Sequence, residues 1–168
     1  MNYKKDLFEY KLTILQKELD AINQIIERHD NYTQTTKNWT IIAWIGITSF
    51  ILKDAPDEEI KKMLLFTPII PLLFWFVDTT WRSLQNRSIF RSERISEFLN
   101  SKEFANAFEN YDHEKIMVWD VVGRKYLEEK KYKQKISFWR VFMFRSVAGF
   151  YISIFLLSVI INFFICYL

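Results

Sequence analysis

The sequence predicts an all-α integral membrane protein with three transmembrane helices and a cytoplasmic helical layer. Its last 23 residues, Ser146 to Leu168, carry no charged side chain. As a helix that rises about 1.5 Å per residue, such a run crosses the roughly 30 Å hydrocarbon core of a bilayer. Two shorter apolar runs lie upstream, and only three glycines and three prolines occur in 168 residues. Long apolar runs with so few glycines favour helices over a barrel of short strands.

Residues 1–36 are predicted to form a cytoplasmic amphipathic helix. Six large apolar side chains recur at alternating spacings of four and three: Phe8, Leu12, Leu15, Leu19, Ile22 and Ile26. They form an a/d seam of nearly three heptads, which is short for a free-standing coiled coil. We therefore expect this helix to pack on another element or on its symmetry mates. The polar, threonine-rich stretch 31–36 is a weak helix former and predicts a joint before the membrane.

Residues 37–81 are predicted to form a transmembrane hairpin. Its first apolar run, Asn38 to Leu52, reaches only about 22 Å as a helix, so its length also allows a buried core helix or a re-entrant segment. The second run, Met63 to Val77, extends to Trp81 if Asp78 is tolerated. Seven charged side chains lie between the two runs. Because burying them in lipid is costly, a spanning hairpin is favoured.

The distribution of basic residues predicts the orientation. Residues 1–37 hold six Lys and Arg and residues 82–145 hold fourteen, whereas the stretch between the two apolar runs holds three. The positive-inside rule therefore places the N-terminus and the helical region 82–145 on the cytoplasmic side. The C-terminal transmembrane helix, residues 146–168, then returns the chain to the outer side.

The sequence contains no recognisable catalytic or metal-binding motif. His29 and His113 lie in charged stretches without a second ligand nearby, and Gly-rich phosphate loops and nucleophile elbows are missing. We therefore expect neither an enzyme nor a metal or other cofactor. A pocket in which His113 or Asp120 lay beside other polar groups would favour a membrane-embedded enzyme instead. The net charge of +3 also gives no reason to expect direct contact with nucleic acid.

Polar side chains within the apolar runs are the candidate pore-lining residues. Tyr151, Ser158 and Asn162 share one face of the last helix, where they either hydrogen-bond across a helix interface or line a polar path through an oligomer. Asp78 either pairs with Arg82 one turn later or contributes to a cation-attracting ring. Three helices cannot enclose a pore alone, so a channel requires a homo-oligomer.

The second apolar run also carries the candidates for gating and assembly. Pro68 and Pro71 predict a kink, which is either static or a gating hinge. If the helix continues past the membrane without a break, Ser88 and Arg91 form a polar layer in its seam. A buried arginine needs a partner, the alternative being that it reaches solvent. Equal helical rises from the bilayer edge, along this helix and along the antiparallel N-terminal helix, place Glu27 level with Arg91. We therefore predict an ion pair between Glu27 and Arg91, within one subunit or between two.

Two further arginines are candidates for binding a ligand or a lipid. Arg87 and Arg94 flank the polar layer on one side, where they could hold an anionic lipid, a nucleotide signal or the acidic patch of a partner. The alternative is a solvated charged face.

The region 101–130 contains one more predicted amphipathic helix. Ser101 is its expected N-cap, and its apolar face carries three aromatic residues: Phe104, Phe108 and Tyr111. The stretch Ile116 to Trp119 fits either a strand or a buried helix. The neighbouring Asp112-His113-Glu114 is predicted to be solvated surface, because adjacent residues on a helix point apart.

Two stretches of the chain together resemble a known group of membrane proteins. One runs from Glu18 to Arg28 and leads into Lys37-Asn38-Trp39. The other is Phe74-Trp75-Phe76-Val77-Asp78, followed by Arg82, Arg87, Phe90-Arg91 and Arg94. Over roughly residues 12–100 the pattern is similar to small two-helix membrane effectors of bacterial anti-phage loci, including SLATT-type proteins and membrane toxins paired with nucleotide-signalling or retron systems. The third predicted span and the lack of a fused sensor domain depart from that pattern.

This resemblance implies an oligomer that perturbs the bacterial inner membrane when a sensor is triggered. The sensor would be a separate protein, a regulator or a nucleotide signal. We therefore expect a homo-oligomeric channel or membrane-disrupting effector of antiviral defence, gated through its cytoplasmic helices. The alternative is a non-conducting membrane anchor or adaptor that docks a cytoplasmic partner.

Overall fold

The computed structural model describes residues 3–53 and 62–167, with side chains described up to residue 165. These ranges are mainly helical and contain no strand, which confirms the all-α prediction for the described part of the chain. The α-helices are α1 Tyr3–Lys53, α2 Ile69–Leu99, α3 Lys102–Asn110, α4 Lys130–Ile136, α5 Phe138–Phe142 and α6 Arg145–Tyr167. Short 3-10 helices cover Leu64–Phe66, His113–Lys115 and Arg124–Tyr126. Most of the charged loop of the predicted hairpin, residues 54–61, lies outside the described residues.

Helix α1 runs from Tyr3 to Lys53 without a break, so the joint predicted at residues 31–36 is wrong. The threonines that were expected to weaken the helix bond to its own backbone instead. The hydroxyl of Thr36 donates to the carbonyl of Tyr32, and that of Thr40 to the carbonyl of Thr36, each at 2.8 Å. Such bonds four residues back satisfy a hydroxyl within the helix and let threonine remain there.

The two prolines of the second apolar run stand at the beginning of α2. Pro68 lies in the turn that follows the 3-10 helix Leu64–Phe66, and Pro71 is the third residue of α2. Amide groups in the first turn of a helix have no intrahelical acceptor, so a proline there removes no hydrogen bond. The prolines thus stand where the 3-10 helix is followed by α2, and whether they form a static kink or a gating hinge stays a prediction. From Ile69 to Leu99 α2 is unbroken, as the predicted seam required.

The chain divides into two compact units, and both α1 and α2 contribute residues to each. Unit 1 consists of Met1–His29 and Ser83–Ile136, and unit 2 of Asp30–Arg82 and Ser137–Leu168. The divisions thus fall after residues 29, 82 and 136. The sequence had suggested divisions after residues 36, 81 and 145.

Unit 1 is built around an apolar core that the seam of α1 supplies. Phe8, Leu15 and Ile22 are buried there together with Ile95 of α2. The other seam residues, at positions 12, 19 and 26, pack against this core, so the seam contacts other elements of the same chain. Helix α3 closes the core and begins at the predicted cap, where the Ser101 hydroxyl accepts the N–H of Phe104 at 3.1 Å.

Unit 2 has a small aromatic core. Trp75 of α2 stacks on Phe142 of α5, with 3.9 Å between the ring centroids, and donates its indole N–H to the Phe142 carbonyl at 3.0 Å. Val147, Ala148 and Tyr151 of α6 complete this cluster. The outward faces of α1, α2 and α6 in unit 2 are apolar and exposed, among them Ile42, Phe50, Leu73, Leu156 and Phe163.

Two helices in the described residues are long and apolar enough to cross a membrane, Leu64–Leu99 and Arg145–Ile165. The run Asn38 to Leu52 forms the end of α1 and is not one of them, so this measure supports two of the three predicted spans. A core helix of a soluble protein can pass the same test, but it is mostly buried. Here only 33% and 22% of the most apolar window of each helix is buried.

Candidate functional site

A row of buried hydroxyl groups lines one face of α1 in unit 2. Thr33, Thr36 and Thr40 recur at spacings of three and four, which places them on the same face of a helix. All three are buried. This row was not predicted, because the same stretch was expected to form a joint. The regular threonine spacing was the signal that could have revealed it.

Asp78 of α2 places a carboxylate among these hydroxyls. Its side chain is fully buried and faces Thr33 and Lys37 of α1, Tyr151 of α6 and Arg82 of α2. Neither carboxylate oxygen has a hydrogen-bond partner among the described residues, and the same holds for the hydroxyls of Thr33 and Tyr151. Four buried oxygen atoms from three helices therefore lie near one another without ordinary hydrogen bonds.

Two cationic side chains surround this cluster. The ammonium group of Lys37 lies 5.7 Å from the centroid of the Phe150 ring and also attracts the carboxylate of Asp78 electrostatically. Arg82, the predicted partner of Asp78, forms its ion pair with Asp30 at 3.2 Å. A buried carboxylate is costly unless charge or hydrogen bonds compensate it, so these two residues lower the cost of placing Asp78 here.

The pore-lining candidates of α6 also face the interior of unit 2. Tyr151, Ser158 and Asn162 are all buried, and Tyr151 is the one that faces Asp78. The Ser158 hydroxyl donates to the carbonyl of Ile154 at 2.8 Å, and the side-chain oxygen of Asn162 has no partner among the described residues. All four candidates are thus buried within a single chain. That they line a pore stays a prediction.

This cluster has the chemistry to interact with a small cation or a proton. A carboxylate and hydroxyl groups are oxygen ligands, which hard cations prefer. Ionisable groups among apolar helices commonly mark ion or proton pathways.

Unit 1 contains a second buried charge, and this one is fully paired. Arg91 Nε donates to Glu18 Oε1 at 2.8 Å and Nη2 donates to Oε2 at 3.3 Å, with the two side chains 3% and 0% exposed. Its remaining donors reach the hydroxyl of Tyr126 and the carbonyl of Met117, each at 2.8 Å. Burial raises the pKa of the Tyr126 phenol, although Arg91 beside it acts in the opposite direction.

The predicted partner of Arg91, Glu27, is wrong. The amide of Gln85 in α2 donates to the carbonyl of Ile26 in α1 at 3.0 Å, which fixes the register of these antiparallel helices. Arg91 lies six residues further along α2 and therefore meets α1 nearer to Glu18. The prediction counted equal rises from residues 37 and 81, whereas the contact of Gln85 with Ile26 shifts the register of the two helices by about two turns.

Glu18 also organises the segment that follows Ile116. Its carboxylate accepts the backbone N–H groups of Trp119 at 2.5 Å and Asp120 at 3.0 Å. Trp119 has a φ of 59°, a left-handed conformation that is strained for a bulky residue, and its ring is exposed. Asp120 in turn accepts the N–H of Arg124 at 2.7 Å. The carboxylate of Asp120 thus contacts backbone amides, and the extended stretch from Ile116 to Trp119 is neither strand nor helix.

The two ligand-binding candidates have different surroundings. Arg94 bonds to Glu97 at 2.8 Å and to Glu129, and its guanidinium lies 5.0 Å from the Phe90 ring centroid. Arg87 forms no ion pair with a described residue, and its Nε is buried without a partner. The structure therefore separates these two arginines, which the sequence analysis had grouped.

Comparisons with known proteins gave no match: no family model, no curated protein and no solved structure is significantly similar to the chain. The resemblance to anti-phage membrane effectors therefore stays a prediction. Within the residues described, no group of three or more His, Cys, Asp or Glu side chains could hold a metal ion.

Proposed function

We propose that the protein inserts into a membrane and acts as a homo-oligomeric channel or membrane-disrupting effector, gated through unit 1. One observation carries this proposal: unit 2 has polar groups inside and apolar groups outside. Asp78 and the threonine row are buried, whereas large side chains such as Phe50, which is 69% exposed, cover the surface. A contiguous apolar surface of this kind is costly in water and suits the hydrocarbon core of a bilayer.

The proposed topology has three spans with the N-terminus in the cytoplasm of a bacterial cell and the chain in its inner membrane. Leu64–Leu99 and Arg145–Ile165 supply two of the spans. The third is the end of α1, where the surface also carries exposed apolar side chains, including Trp39, Ile42 and Ile45. Lysines at 37 and 53 flank this short run and can extend their charges to the interface.

The Asp78 cluster supports ion conduction as the activity. An acidic side chain at membrane depth is rare and is by default a functional candidate. Because Asp78, Tyr151 and Asn162 are buried within one chain, we assign the described conformation to the closed state. Opening would expose them to a lumen shared by several subunits.

The test is ion flux from liposomes that contain the purified protein, together with its oligomeric state in detergent. We expect a defined oligomer that releases ions, and less release after Asp78→Asn or Asn162→Leu. Thr80→Val is the matched control, since Thr80 lies on the same helix, is exposed and donates its hydroxyl to the carbonyl of Phe76 in that helix at 3.0 Å. A monomer, or an oligomer whose liposomes stay tight, would contradict the channel.

A membrane anchor or adaptor is the second candidate, and Trp119 favours it. This side chain is 64% exposed on a strained backbone that Glu18 holds in place, an arrangement that presents a large aromatic group to solvent. Aromatic residues of this kind are frequent in protein interfaces. An adaptor would leave the membrane potential unchanged on overexpression, and Trp119→Ala would release its cytoplasmic partner.

A further inference from the structure

Unit 1 contains a cavity of about 320 Å³ that the sequence analysis did not anticipate. Residues of α1, α2, α4 and the 3-10 helix Arg124–Tyr126 line it. Its volume falls within the range of about 300–1,000 Å³ that is typical of small-molecule sites in proteins. The cavity is therefore large enough for a small organic ligand.

The charged lining of this cavity is basic. Arg87 of α2 and Arg124 of the 3-10 helix contribute guanidinium groups, and no aspartate or glutamate among the described residues lines the cavity. In the described part of the chain Arg82, Arg91 and Arg94 each contact a carboxylate. Arg87 instead has no ion pair there, and its Nε is buried without a hydrogen-bond partner. A guanidinium group in this situation gains most from an anion that can accept two hydrogen bonds.

A buried hydroxyl adds a neutral donor to the two cations. Ser88 lines the cavity, is 1% exposed, and its hydroxyl has no hydrogen-bond partner among the described residues. Leaving such a group unpaired is costly, and an anion in the cavity would accept its hydrogen bond. Ser88 lies next to Arg87 in α2, so both donors reach the cavity from the same turn.

Two contacts hold Tyr132 in the wall of the cavity. The Tyr132 hydroxyl donates to the carbonyl of Val122 at 2.9 Å, and its ring packs against Gly123. Gly123 has a φ of +64°, and a Cβ there would lie 3.0 Å from the Tyr132 ring. The rest of the lining consists of His29 and the apolar side chains of Ile25, Leu84, Val122 and Leu127. A preformed cavity with apolar walls and basic groups suits an organic anion better than a hydrated inorganic ion.

We propose that this cavity binds the phosphate group of a phosphate ester, with Arg87 and Arg124 as its cationic ligands and Ser88 as a hydrogen-bond donor. Guanidinium groups match the geometry of phosphate oxygens and bind them in a bidentate manner. The ester is either a soluble organic phosphate or the headgroup of an anionic phospholipid. Binding of phosphate here does not depend on whether the protein conducts ions.

Thermal unfolding of the purified full-length protein tests the site, because a ligand that binds only the folded state raises the unfolding midpoint. The soluble probes are inorganic phosphate and adenosine monophosphate, added to protein in a detergent without phosphate groups. The lipid probe is phosphatidic acid, compared with phosphatidylcholine alone in nanodiscs. A shift with adenosine monophosphate identifies a soluble ester, and a shift with phosphatidic acid alone identifies a lipid headgroup.

We expect at least about a tenfold loss of affinity for the active probe in Arg87→Gln and in Arg124→Gln, since one charge-assisted contact is worth about 1.4 kcal/mol or more. Arg28→Gln is the matched control, because Arg28 is an exposed α1 residue that does not line the cavity. If Arg87→Gln fails to fold, Arg124→Gln decides, since Arg124 is exposed. No shift with any probe, or equal losses in all three variants, would overturn the proposal.

Discussion

The two units bury charge in opposite ways. In unit 1 the carboxylate of Glu18 receives hydrogen bonds from Arg91 and from two backbone amides. In unit 2 the carboxylate of Asp78 is equally buried, yet neither oxygen has a hydrogen-bond partner among the described residues. The surfaces of the two units also differ: most large exposed apolar side chains of the described residues belong to unit 2.

This contrast shows that burial alone does not reveal the purpose of a charged residue. A fully paired ion pair fixes the arrangement of the segments it joins, although it contributes little net stability compared with apolar residues of the same size. A buried carboxylate without ordinary hydrogen bonds, such as Asp78, remains costly even beside Lys37 and Arg82, which fits a role in binding or in a change of conformation. Glu18 therefore has a structural role in unit 1, and under the proposed function Asp78 is the candidate for activity.

The largest effect is expected from breaking the pair in unit 1. Glu18→Gln removes the charge that compensates Arg91 and should lower the free energy of unfolding by about 3–5 kcal/mol. Glu27→Gln, at the exposed position that the sequence suggested as the partner, should change it by about 0.5 kcal/mol or less. Denaturant unfolding in detergent measures both. Equal effects at the two positions would show that the Glu18 register is incorrect.

The next largest difference in stability is expected between alanine substitutions at two glycines, one in each unit. Gly123→Ala forces a left-handed backbone on alanine and brings its Cβ to 3.0 Å from the Tyr132 ring, so we expect a loss of about 1–3 kcal/mol. Gly149 lies in α6, and a Cβ added there would meet no other described element within 4 Å, so Gly149→Ala should stabilise its helix by about 0.5–1 kcal/mol. Thermal unfolding of both variants provides the comparison. A destabilised Gly149→Ala would mean that a second chain packs at this position.

Neutralising the carboxylate of unit 2 should have a smaller effect of the opposite sign. Asp78→Asn keeps the shape of the side chain and removes an unpaired buried charge, so we expect the free energy of unfolding to rise by about 1 kcal/mol. The unfolding midpoint in detergent measures this change beside that of Glu18→Gln. If Asp78→Asn destabilises the protein as much as Glu18→Gln, then Asp78 is a structural residue and its assignment to activity is wrong.

The smallest effect is expected at Ser158. Its hydroxyl bonds to the carbonyl of Ile154 in its own helix and to no other described residue. Ser158→Ala should therefore change the free energy of unfolding by about 0.5 kcal/mol or less. Ion flux of this variant, measured beside that of Asn162→Leu, tests the pore-lining prediction: a similar fall would support it, and unchanged flux would contradict it.

Local periodicity made much of unit 1 predictable. The seam from Phe8 to Ile26, the continuous α2 with buried Ser88 and Arg91, and the Ser101 cap were each visible in a single stretch of sequence. Each depends on spacings of three and four or on one capping residue, and these signals need no knowledge of the partner element.

The contacts between elements could not be predicted in the same way. Glu18 lies outside the apolar seam of α1, and it is buried because the distant segment around Trp119 and Asp120 covers it. Whether Arg91 meets Glu18 or Glu27 depends on the register of two helices, and counting from the apolar boundaries misplaced that register by about two turns. The Asp78 cluster likewise joins three helices, of which the sequence analysis had identified the contributions of two.

Both units are discontinuous in sequence, and this order of segments affects how the protein is made. Residues 1–29 of unit 1 leave the ribosome before residues 83–136 with which they form a core. Chains are synthesised from the N-terminus at about 5–20 residues per second. The apolar seam of α1 therefore stays exposed until α2 and α3 have been synthesised. A chaperone that binds nascent chains should therefore recognise the first thirty residues. A messenger truncated after the codon for Arg82 would yield a product whose seam never finds its partner.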